Sequence, residues 1–445
     1  MRRIIIALGI LAAAGCAVRS PYDRAYVSQI LEERTGHSLD PALKAGEMRL
    51  PPAVSLEDGL TEDEAVAVAL WNNAQFRTDM GDLAVARAGL IEAGLLPNPL
   101  VSYLRLFGVK GQEGYILWPL EALIQRPKKT AAAKLDVERT ANRLVQLGVI
   151  LSRDALVAYA DLLLAQSATE IAEEEARLRR EMAGIAAARL RAGDISGLEE
   201  AAARVAGLRA NEAALYAARD LKTARARFEV ILGWGQPPPS FTLSPGTGAE
   251  SAEETLPELL EDAYASRSDL RAAKLEIEAA AVRLGWEKAR VLKLTATLEG
   301  KEKGESGVFI GPSGKIEIPI FNRNEGGRAR ARAEMERAAL AFIAARQRVT
   351  LEVKEASAQL ASARQALSLL RDSVVPAAAE SAARAKKAYA SGEESYLFSL
   401  EAERQFLDAR RREAEAAADV RRADARLRCG LGFHKEVSDK GISEK

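Results

Sequence analysis

The chain has 445 residues with 63 basic and 63 acidic side chains, so it lacks the positive excess with which proteins grip a nucleic-acid backbone. Hydrophobic residues reach 48% but aromatics only 5%, because much of the apolar content is alanine, the strongest helix former. Cys16, Cys429, His37 and His434 are too few and too scattered for a zinc- or copper-type ligand set, so the sequence gives no metal site and no cofactor. Past the amino terminus no stretch reaches the ~18 consecutive apolar residues of a membrane-spanning helix, so any crossing must be made as a closed β-barrel.

Met1-Arg2-Arg3 followed by apolar Ile4–Ala14 reads as a signal peptide over residues 1–15, too short to persist as a spanning helix. It closes on Ala13-Ala14-Gly15-Cys16, which resembles the lipobox of bacterial lipoproteins, with Ala13 where leucine is usual. The resemblance implies that Cys16 becomes the lipidated first residue, and Ala17 in place of aspartate implies delivery to the outer membrane. Acyl chains contribute about 0.8 kcal/mol per buried methylene, so a multiply acylated Cys16 would anchor the chain firmly. Residues 16–59 contain Pro21, Pro41, Pro51 and Pro52 and read as a lipid-anchored tether with one short helix near Tyr26–Glu33.

Thr61 as N-cap with Glu64 three residues on forms a capping box, starting a helix expected to run to Leu96 before Pro97-Asn98-Pro99. Leu100–Gly108 and Gly114–Glu121 read as strands. A long helix follows over Arg126–Ala192, with Leu144, Leu147, Leu151, Ala155, Ala158, Leu162 and Ala165 at the threes and fours of a packed antiparallel coil. Gly193-Asp194-Ile195-Ser196 breaks it, and a return helix runs over Gly197–Leu232 to Gly233-Trp234-Gly235. Residues 236–254, with Pro237-Pro238-Pro239, read as a linker.

The same order then recurs. Leu256–Leu292 reads as a helix in which Leu270-Arg271 matches Phe76-Arg77. Leu292, Leu294, Ala296 and Leu298 alternate with Lys293, Thr295, Thr297 and Glu299, the pattern of a barrel wall between lipid and water. The first four are expected to face lipid and the second four the lumen. Lys301–Gly307 is a hairpin turn, and Val308–Ile320 is the partner strand. A helix of about 65 residues over 325–390, on the order of 98 Å long, carries Leu360, Ala363, Leu367, Leu370 and Val374. It ends at Ser391-Gly392-Glu393-Glu394, and a last helix runs to Cys429 and Leu431-Gly432-Phe433 before a polar tail over 434–445. Gly193 matches Gly392, and Leu232-Gly233-Trp234 matches Leu431-Gly432-Phe433, at one offset of 199 residues. One offset held at both a helix turn and a helix end indicates duplication, with repeats over 60–235 and 255–433. Pro376 lies in the second long helix, and its counterpart Arg177 is not a proline, which predicts a kink in one hairpin only.

The junction Pro319-Ile320-Phe321-Asn322-Arg323-Asn324-Glu325-Gly326-Gly327-Arg328-Ala329-Arg330 resembles the TolC family of bacterial outer-membrane efflux proteins, whose strand-to-helix transition reads close to PIFNRGxxRARIxxAxA. The opening of the first repeat agrees: an LTxxEAxxxAL-like start at Leu60, Asn72-Asn73, then Ala93-Gly94-Leu95-Leu96-Pro97-Asn98-Pro99. Arg34-Thr35-Gly36-His37 is similar to a segment near the start of some heavy-metal-efflux members. The resemblance implies a mainly α fold with a small membrane β-barrel, closed as a homotrimer with four strands from each chain (12 in all) and continued by an α-barrel. It implies an exit duct of a tripartite efflux system in the outer membrane, partnered by a periplasmic adaptor and an inner-membrane pump. Independently of that, an open sheet edge in lipid leaves backbone groups unsatisfied, so four strands cannot insert alone.

No G-x-S-x-G, Walker A, dinucleotide or HExxH motif is present, and Gly304-Glu305-Ser306-Gly307 sits in a hairpin, so no catalytic residue is expected. The family implies that the turns at Gly193-Asp194 and Gly392-Glu393-Glu394 face the periplasm, where they gate the channel and meet the adaptor. Two accounts of their acidic residues stand side by side: carboxylate rings that favour cations, or helix capping by Asp194 with Glu393 and Glu394 at the positive end of the returning helix. An adaptor with a helical hairpin would need one hairpin flanked by lipoyl-like strands, and a purely structural coiled-coil protein would lack the alternating strand at Leu292–Glu299.

Overall fold

The computed structural model describes residues 18–41, 48–105, 111–235, 239–244, 255–302, 307–391 and 393–432. Cys16, Gly392, the 434–445 tail and most of the 236–254 linker lie outside the described residues. In chain order the elements are α1 (Arg24–Thr35), α2 (Glu62–Asn72), α3 (Ala74–Asp79), α4 (Gly81–Gly94), β1 (Leu100–Arg105), β2 (Gln112–Pro119), α5 (Glu121–Ala192) and α6 (Gly197–Ile231). The second round is α7 (Leu256–Ser266), α8 (Ser268–Ala289), β3 (Lys293–Glu302), β4 (Val308–Glu317), α9 (Glu325–Leu369), a π-turn over Leu370–Val374, α10 (Val375–Ser391) and α11 (Tyr396–Leu431). Helix, strand pair, long helix and return helix thus occur twice.

Where the elements differ from expectation, local chemistry accounts for it. The helix expected from Thr61 to Leu96 breaks at Asn73, which turns extended at φ −58°, ψ 118° while its N–H still bonds the Ala69 carbonyl at 2.9 Å. The Asn73 side-chain oxygen then accepts the Phe76 N–H at 2.9 Å, giving the chain a local alternative to continuing the helix. Arg267 breaks the corresponding helix in the second half at φ −65°, ψ 119°. The long helix α5 begins at Glu121, earlier than expected, with Pro127 inside it. β4 stops at Glu317 rather than Ile320, since Pro319 has no N–H and the Ile320 N–H turns back to Ile318 at 2.9 Å. β3 begins at Lys293, leaving Leu292 just outside the strand.

The chain forms two compact units whose boundaries cut across the sequence repeats. The first (Met1–Ser28, Thr78–Gln146, Ser268–Arg348) holds a four-stranded antiparallel sheet, in the order β1-β2-β3-β4, so that β2–β3 joins the two repeats edge to edge. Beside it α5 and α8 are laced by Arg283 to Asp136 at 2.5 Å, Arg139 to Glu276 at 2.9 Å and Arg271 to Glu138 at 2.6 Å. The expected tether is packed where it is described: Val27 is fully buried, and a Cβ on Gly94 would meet Val18 at 2.8 Å.

The second unit (Gln29–Arg77, Leu147–Arg267, Val349–Lys445) has a core in which many alanines, among them Ala155, Ala160, Ala203, Ala356, Ala409 and Ala425, pack beside larger side chains such as Tyr159 and Phe228. Small side chains let helix backbones come close, as Gly148 does against Leu31 of α1. Of the positions expected to line the second coil, Leu360 is buried, whereas Val374 is 38% exposed in the single chain. The described end of the linker is packed too: Phe241 joins Trp234 at 4.9 Å and Phe228 at 5.9 Å, and Leu243 forms a parallel bridge with Leu60.

Candidate functional site

Two regions carry the residues singled out by sequence: the sheet and the helix turns. In the sheet, Lys293 pairs with Glu317, Thr295 with Lys315, Thr297 with Ser313 and Glu299 with Gly311. Directly opposed residues share a face, so this register collects a polar set on one side. An ion pair between Lys293 and Glu317 at 2.7 Å and a bond from Ser313 to Glu299 at 3.0 Å reinforce it. The alternate face gathers Leu294 opposite Ile316, Leu298 opposite Pro312 and Ile116, and Ala296 opposite Trp118. Leu298, Ile316 and Ile310 on that face are 46%, 61% and 72% exposed, whereas Thr297 on the other is 4%. An apolar face left this open has no partner among the described residues. Among the described residues β1 and β4 are the two edges, each with one side unpaired.

At the first turn Gly193 adopts φ +81°, and the Asp194 N–H reaches back to the Arg189 carbonyl at 2.9 Å, a left-handed glycine stop that satisfies the orphan carbonyls of α5. Asp194 is exposed and does not cap the return helix. That role belongs to Ser196, whose hydroxyl accepts the Glu199 N–H at 3.3 Å while Glu199 accepts the Ser196 N–H at 2.9 Å. The spacing Ser196-x-x-Glu199 is a readable capping box that the sequence reading passed over. At the second turn the N–H groups of Glu393 and Glu394 both point to the Ala388 carbonyl, at 2.9 and 3.3 Å, and Ser395 caps α11. The carboxylates of Glu393 and Glu394 are exposed.

The structure also ties the two hairpins together near their turns through residues the sequence did not flag. Arg189 donates to the Tyr389 hydroxyl at 3.0 Å and lies 5.7 Å from its ring centroid, and Tyr389 in turn meets Tyr396 at 5.8 Å. Beside them a cleft of about 770 Å³ runs among α5, α6 and α11, lined by Leu198, Val205, Leu397 and Arg404, with the buried Arg179 among them. Arg404 grips Glu401 with two nitrogens, which holds that carboxyl down at about 2, whereas burial pushes Glu403 up against the pull of Lys386 and Arg179.

Residues 259–432 match the family model of outer membrane efflux proteins. The cobalt-zinc-cadmium resistance protein of Cupriavidus metallidurans is 26% identical over 357 residues, covering 79% of this chain and 85% of the relative. The fold is that of the Campylobacter jejuni CmeC outer membrane channel (TM-score 0.73, 12% identity, 89% of this chain and 92% of that one). It is likewise that of the Neisseria gonorrhoeae MtrE outer membrane channel in its open state (TM-score 0.68, 18% identity, 88% and 98%). The match to the outer membrane efflux protein family thus falls on the second repeat. The matched segment is that of outer membrane efflux proteins, and the two solved structures that share the fold are outer membrane channels.

In this chain the junction motif has a clear physical basis. Asn324 stands where the family pattern has glycine and takes φ +58°, a region asparagine tolerates better than other side-chain-bearing residues. Its side-chain nitrogen donates to the Glu287 carbonyl at 2.9 Å and carboxylate at 2.6 Å, and its own carbonyl starts α9 by accepting from Arg328 at 3.0 Å. The motif thereby fixes how the chain leaves β4 and enters the long helix.

Proposed function

We propose that this outer-membrane efflux protein works as a homotrimeric exit duct, in which three copies of the four-stranded sheet close into one membrane barrel. The observation that carries the reading is the sheet itself: two open edges and one exposed apolar face, a combination that lipid forbids in a monomer. In this arrangement Leu292, Leu294, Ala296 and Leu298 meet lipid and Lys293, Thr295, Thr297 and Glu299 line the water-filled lumen. The turns at Gly193-Asp194 and Gly392-Glu393-Glu394 form the periplasmic end, where they gate the duct and receive an adaptor protein that links it to an inner-membrane pump. The exposed Leu198, at 81%, and Leu397, at 59%, flank the cleft beside the first turn and supply an apolar surface for such a helical partner. Cys16, lipidated, anchors the mature chain.

Heavy-metal cations are the favoured cargo, on two supports: the name of the Cupriavidus relative and the Arg34-Thr35-Gly36-His37 segment. The test of the duct is mass measurement in detergent joined to single-channel recording in planar bilayers. A trimer that conducts is the expected result, and a stable monomer that conducts would overturn the proposal. Cation resistance conferred on a host that lacks its own duct, compared between zinc, cobalt and cadmium salts and organic drugs, tests the cargo. Resistance to drugs alone would remove the metal reading and leave the duct standing.

A further inference from the structure

In the first unit a cleft of about 450 Å³ opens at the helix end of the sheet, in a place that neither conduction nor the hairpin turns require. Leu95 and Leu96 form one wall, and Arg126, Lys129, Arg290 and Lys293 supply four cationic side chains. Each comes from a junction of helix and strand. The leucines follow α4 and precede β1, Arg126 and Lys129 lie in the first turns of α5 just after β2, and Arg290 and Lys293 bracket the passage from α8 into β3. Where strands of a membrane barrel give way to periplasmic helices, the protein passes through the headgroup layer.

Two tryptophans sit at this level, as amphipathic rings do at a membrane–water boundary. Trp118 in β2 donates its indole N–H to the Pro97 carbonyl at 3.0 Å. Trp286 donates to Gln125 at 3.2 Å, while Lys129 and Arg290 lie 5.2 and 5.6 Å from its ring centroid. The cleft has one carboxylate, Glu121, which is engaged in accepting the Leu294 N–H at 3.2 Å. Arg290 pairs with Glu287 at 3.3 Å and Lys293 with Glu317 at 2.7 Å, both through exposed cations. Among the described residues Arg126 and Lys129 form no ion pair. The start of α5 adds the positive end of a long helix. Apolar side chains continue outward from the cleft: Leu95 is 67% exposed and Ile124 51%.

We propose that this cleft binds the phosphate headgroup of an anionic phospholipid in the periplasm-facing leaflet. Arg126, Lys129 and Arg290 contact the phosphate oxygens, Lys293 stays paired with Glu317 at the lumen-side rim, and the acyl chains run along Leu95 and Leu96. Basic pockets beside membrane-embedded segments select anionic headgroups in this way. A free phosphate ion would satisfy the cations but leave the two leucines uncovered, and a zwitterionic lipid brings an ammonium group that the cations repel. The proposal rests on the four strands being part of a membrane barrel.

The test uses the full-length protein, purified in detergent, stripped of lipid and followed by native mass spectrometry with phosphatidylglycerol, phosphatidylethanolamine or sodium phosphate. Phosphatidylglycerol should remain bound to the wild type and be held about thirtyfold more weakly by Arg126→Gln/Lys129→Gln, in line with two lost cation contacts at about 1 kcal/mol each. Lys134→Gln/Lys288→Gln, which removes the same charge from α5 and α8 outside the cleft, should retain it. The single exposed change Lys129→Gln should move in the same direction as the pair. Equal retention by all variants, equally tight phosphatidylethanolamine, or displacement of the lipid by sodium phosphate would each overturn the proposal. Bilayer conductance is recorded on the same preparations. Conduction that survives the loss of bound lipid identifies a headgroup site, whereas a wild type that holds the lipid and fails to conduct overturns the open duct and leaves the headgroup site standing.

Discussion

The joint between a short helix and the glycine end of a return helix is built twice in the second unit, with one backbone and two chemistries. In the first half Asn73 breaks the helix at ψ 118° and Gly233 packs there at φ +71°; in the second Arg267 breaks it at ψ 119° beside Gly432 at φ +81°. The first joint is held by neutral amides: Asn73 donates to the Ile231 carbonyl at 3.0 Å, and Asn72 bonds Arg49 in both directions at 2.8 and 2.9 Å. The second uses a hydroxyl and guanidinium groups. Ser266 donates to the Leu431 carbonyl, Arg267 reaches the Gly430 carbonyl at 3.4 Å and Glu352 at 2.5 Å, and Arg34 reaches Gly432 at 3.1 Å. The last carbonyls of a helix need donors, and after duplication any donor in reach served. The extended residue and the left-handed glycine were not negotiable.

The largest expected effect tests that claim directly. A Cβ on Gly233 would lie 2.2 Å from the Asn72 carbonyl oxygen and 2.7 Å from the Asn73 nitrogen, both backbone atoms that cannot move aside. On Gly432 it would meet only the ends of the Arg34 and Ser266 side chains, at 2.9 and 3.1 Å. Gly432→Ala should therefore cost about 1–2 kcal/mol, the left-handed strain alone, and Gly233→Ala more than about 3 kcal/mol. Unfolding midpoints of the detergent-solubilised protein measure both, and equal costs would show that the joints are not distinguished by backbone approach. Next in size is the donor comparison. Arg267→Ala removes a 5%-exposed guanidinium from a carbonyl and from Glu352, which is itself 44% exposed and stays solvated. It should cost about 1.5–3 kcal/mol, and Asn73→Ala about 1–2 kcal/mol for one carbonyl bond and one helix cap.

These joints also mark where the sequence was legible and where it was not. Asn72-Asn73 stood out, yet neither it nor Ser266-Arg267 contains a proline or glycine, so no local rule ended the helices there. Thr255 and Glu258 repeat the capping box of Thr61 and Glu64, with bonds of 2.9 and 2.7 Å, and the offset of the Phe76-Arg77 match would have located them. The hairpin stop at Gly193 could be read because its conformation is intrinsic to glycine. The packing of α1 could not: Leu31 against Gly148 and Arg34 against Gly432 are contacts between residues far apart in the chain, and a polar, proline-dotted stretch reads as a tether until its partners are known. The alternation at Leu292–Glu299 was legible as a two-faced strand, and the cationic cleft was not, since its side chains come from three separate junctions.

The long helices offer a second comparison, with a smaller effect. α5 runs unbroken for 72 residues, whereas its counterpart is interrupted by the π-turn at Leu370–Val374, immediately before Pro376. Proline has no N–H to give the Asp372 carbonyl and its ring would press on that oxygen, so the helix widens and Val375 bonds Leu370 instead. Pro376→Ala removes the cause. Amide hydrogen exchange over residues 370–377 should slow as ordinary helical bonds form, with stability changed by less than about 1 kcal/mol. Exchange that stays as fast as in the wild type would place the origin of the π-turn in packing rather than in the proline.

The smallest effect concerns a charge pair that duplication has reversed. Arg225 and Glu229 form an ion pair at 3.1 Å in the first return helix, and at the matching positions Asp424 and Arg428 form one at 2.7 Å with the signs exchanged. The second orientation places its cation toward the helix C-terminus, the favourable order, and the first gains a stack of Arg225 on Phe241 at 4.5 Å. The exchange leaves Asp424 close to Glu62, which pairs with Arg421 at 3.1 Å. Burial raises the pKa of both carboxyls, with Asp424 raising Glu62 further, against the pull of Arg421 and Arg428 on Glu62 and of Arg428 and Arg364 on Asp424. A carboxyl whose folded pKa is raised binds its proton more tightly in the native state. The stability it contributes is full below the unfolded value, near the ordinary carboxylate pKa, and is lost as pH rises through the folded value. Glu62→Gln and Asp424→Asn carry no such loss. Each variant should therefore melt higher relative to the wild type at about pH 7.5 than at about pH 4, toward which the native state takes up these protons more readily than the unfolded chain. Paired melting curves at the two pH values read the difference. A relative gain at the acid end instead would mean that the arginines, and not burial, dominate these two groups, and that the reversed pair was kept for its attraction.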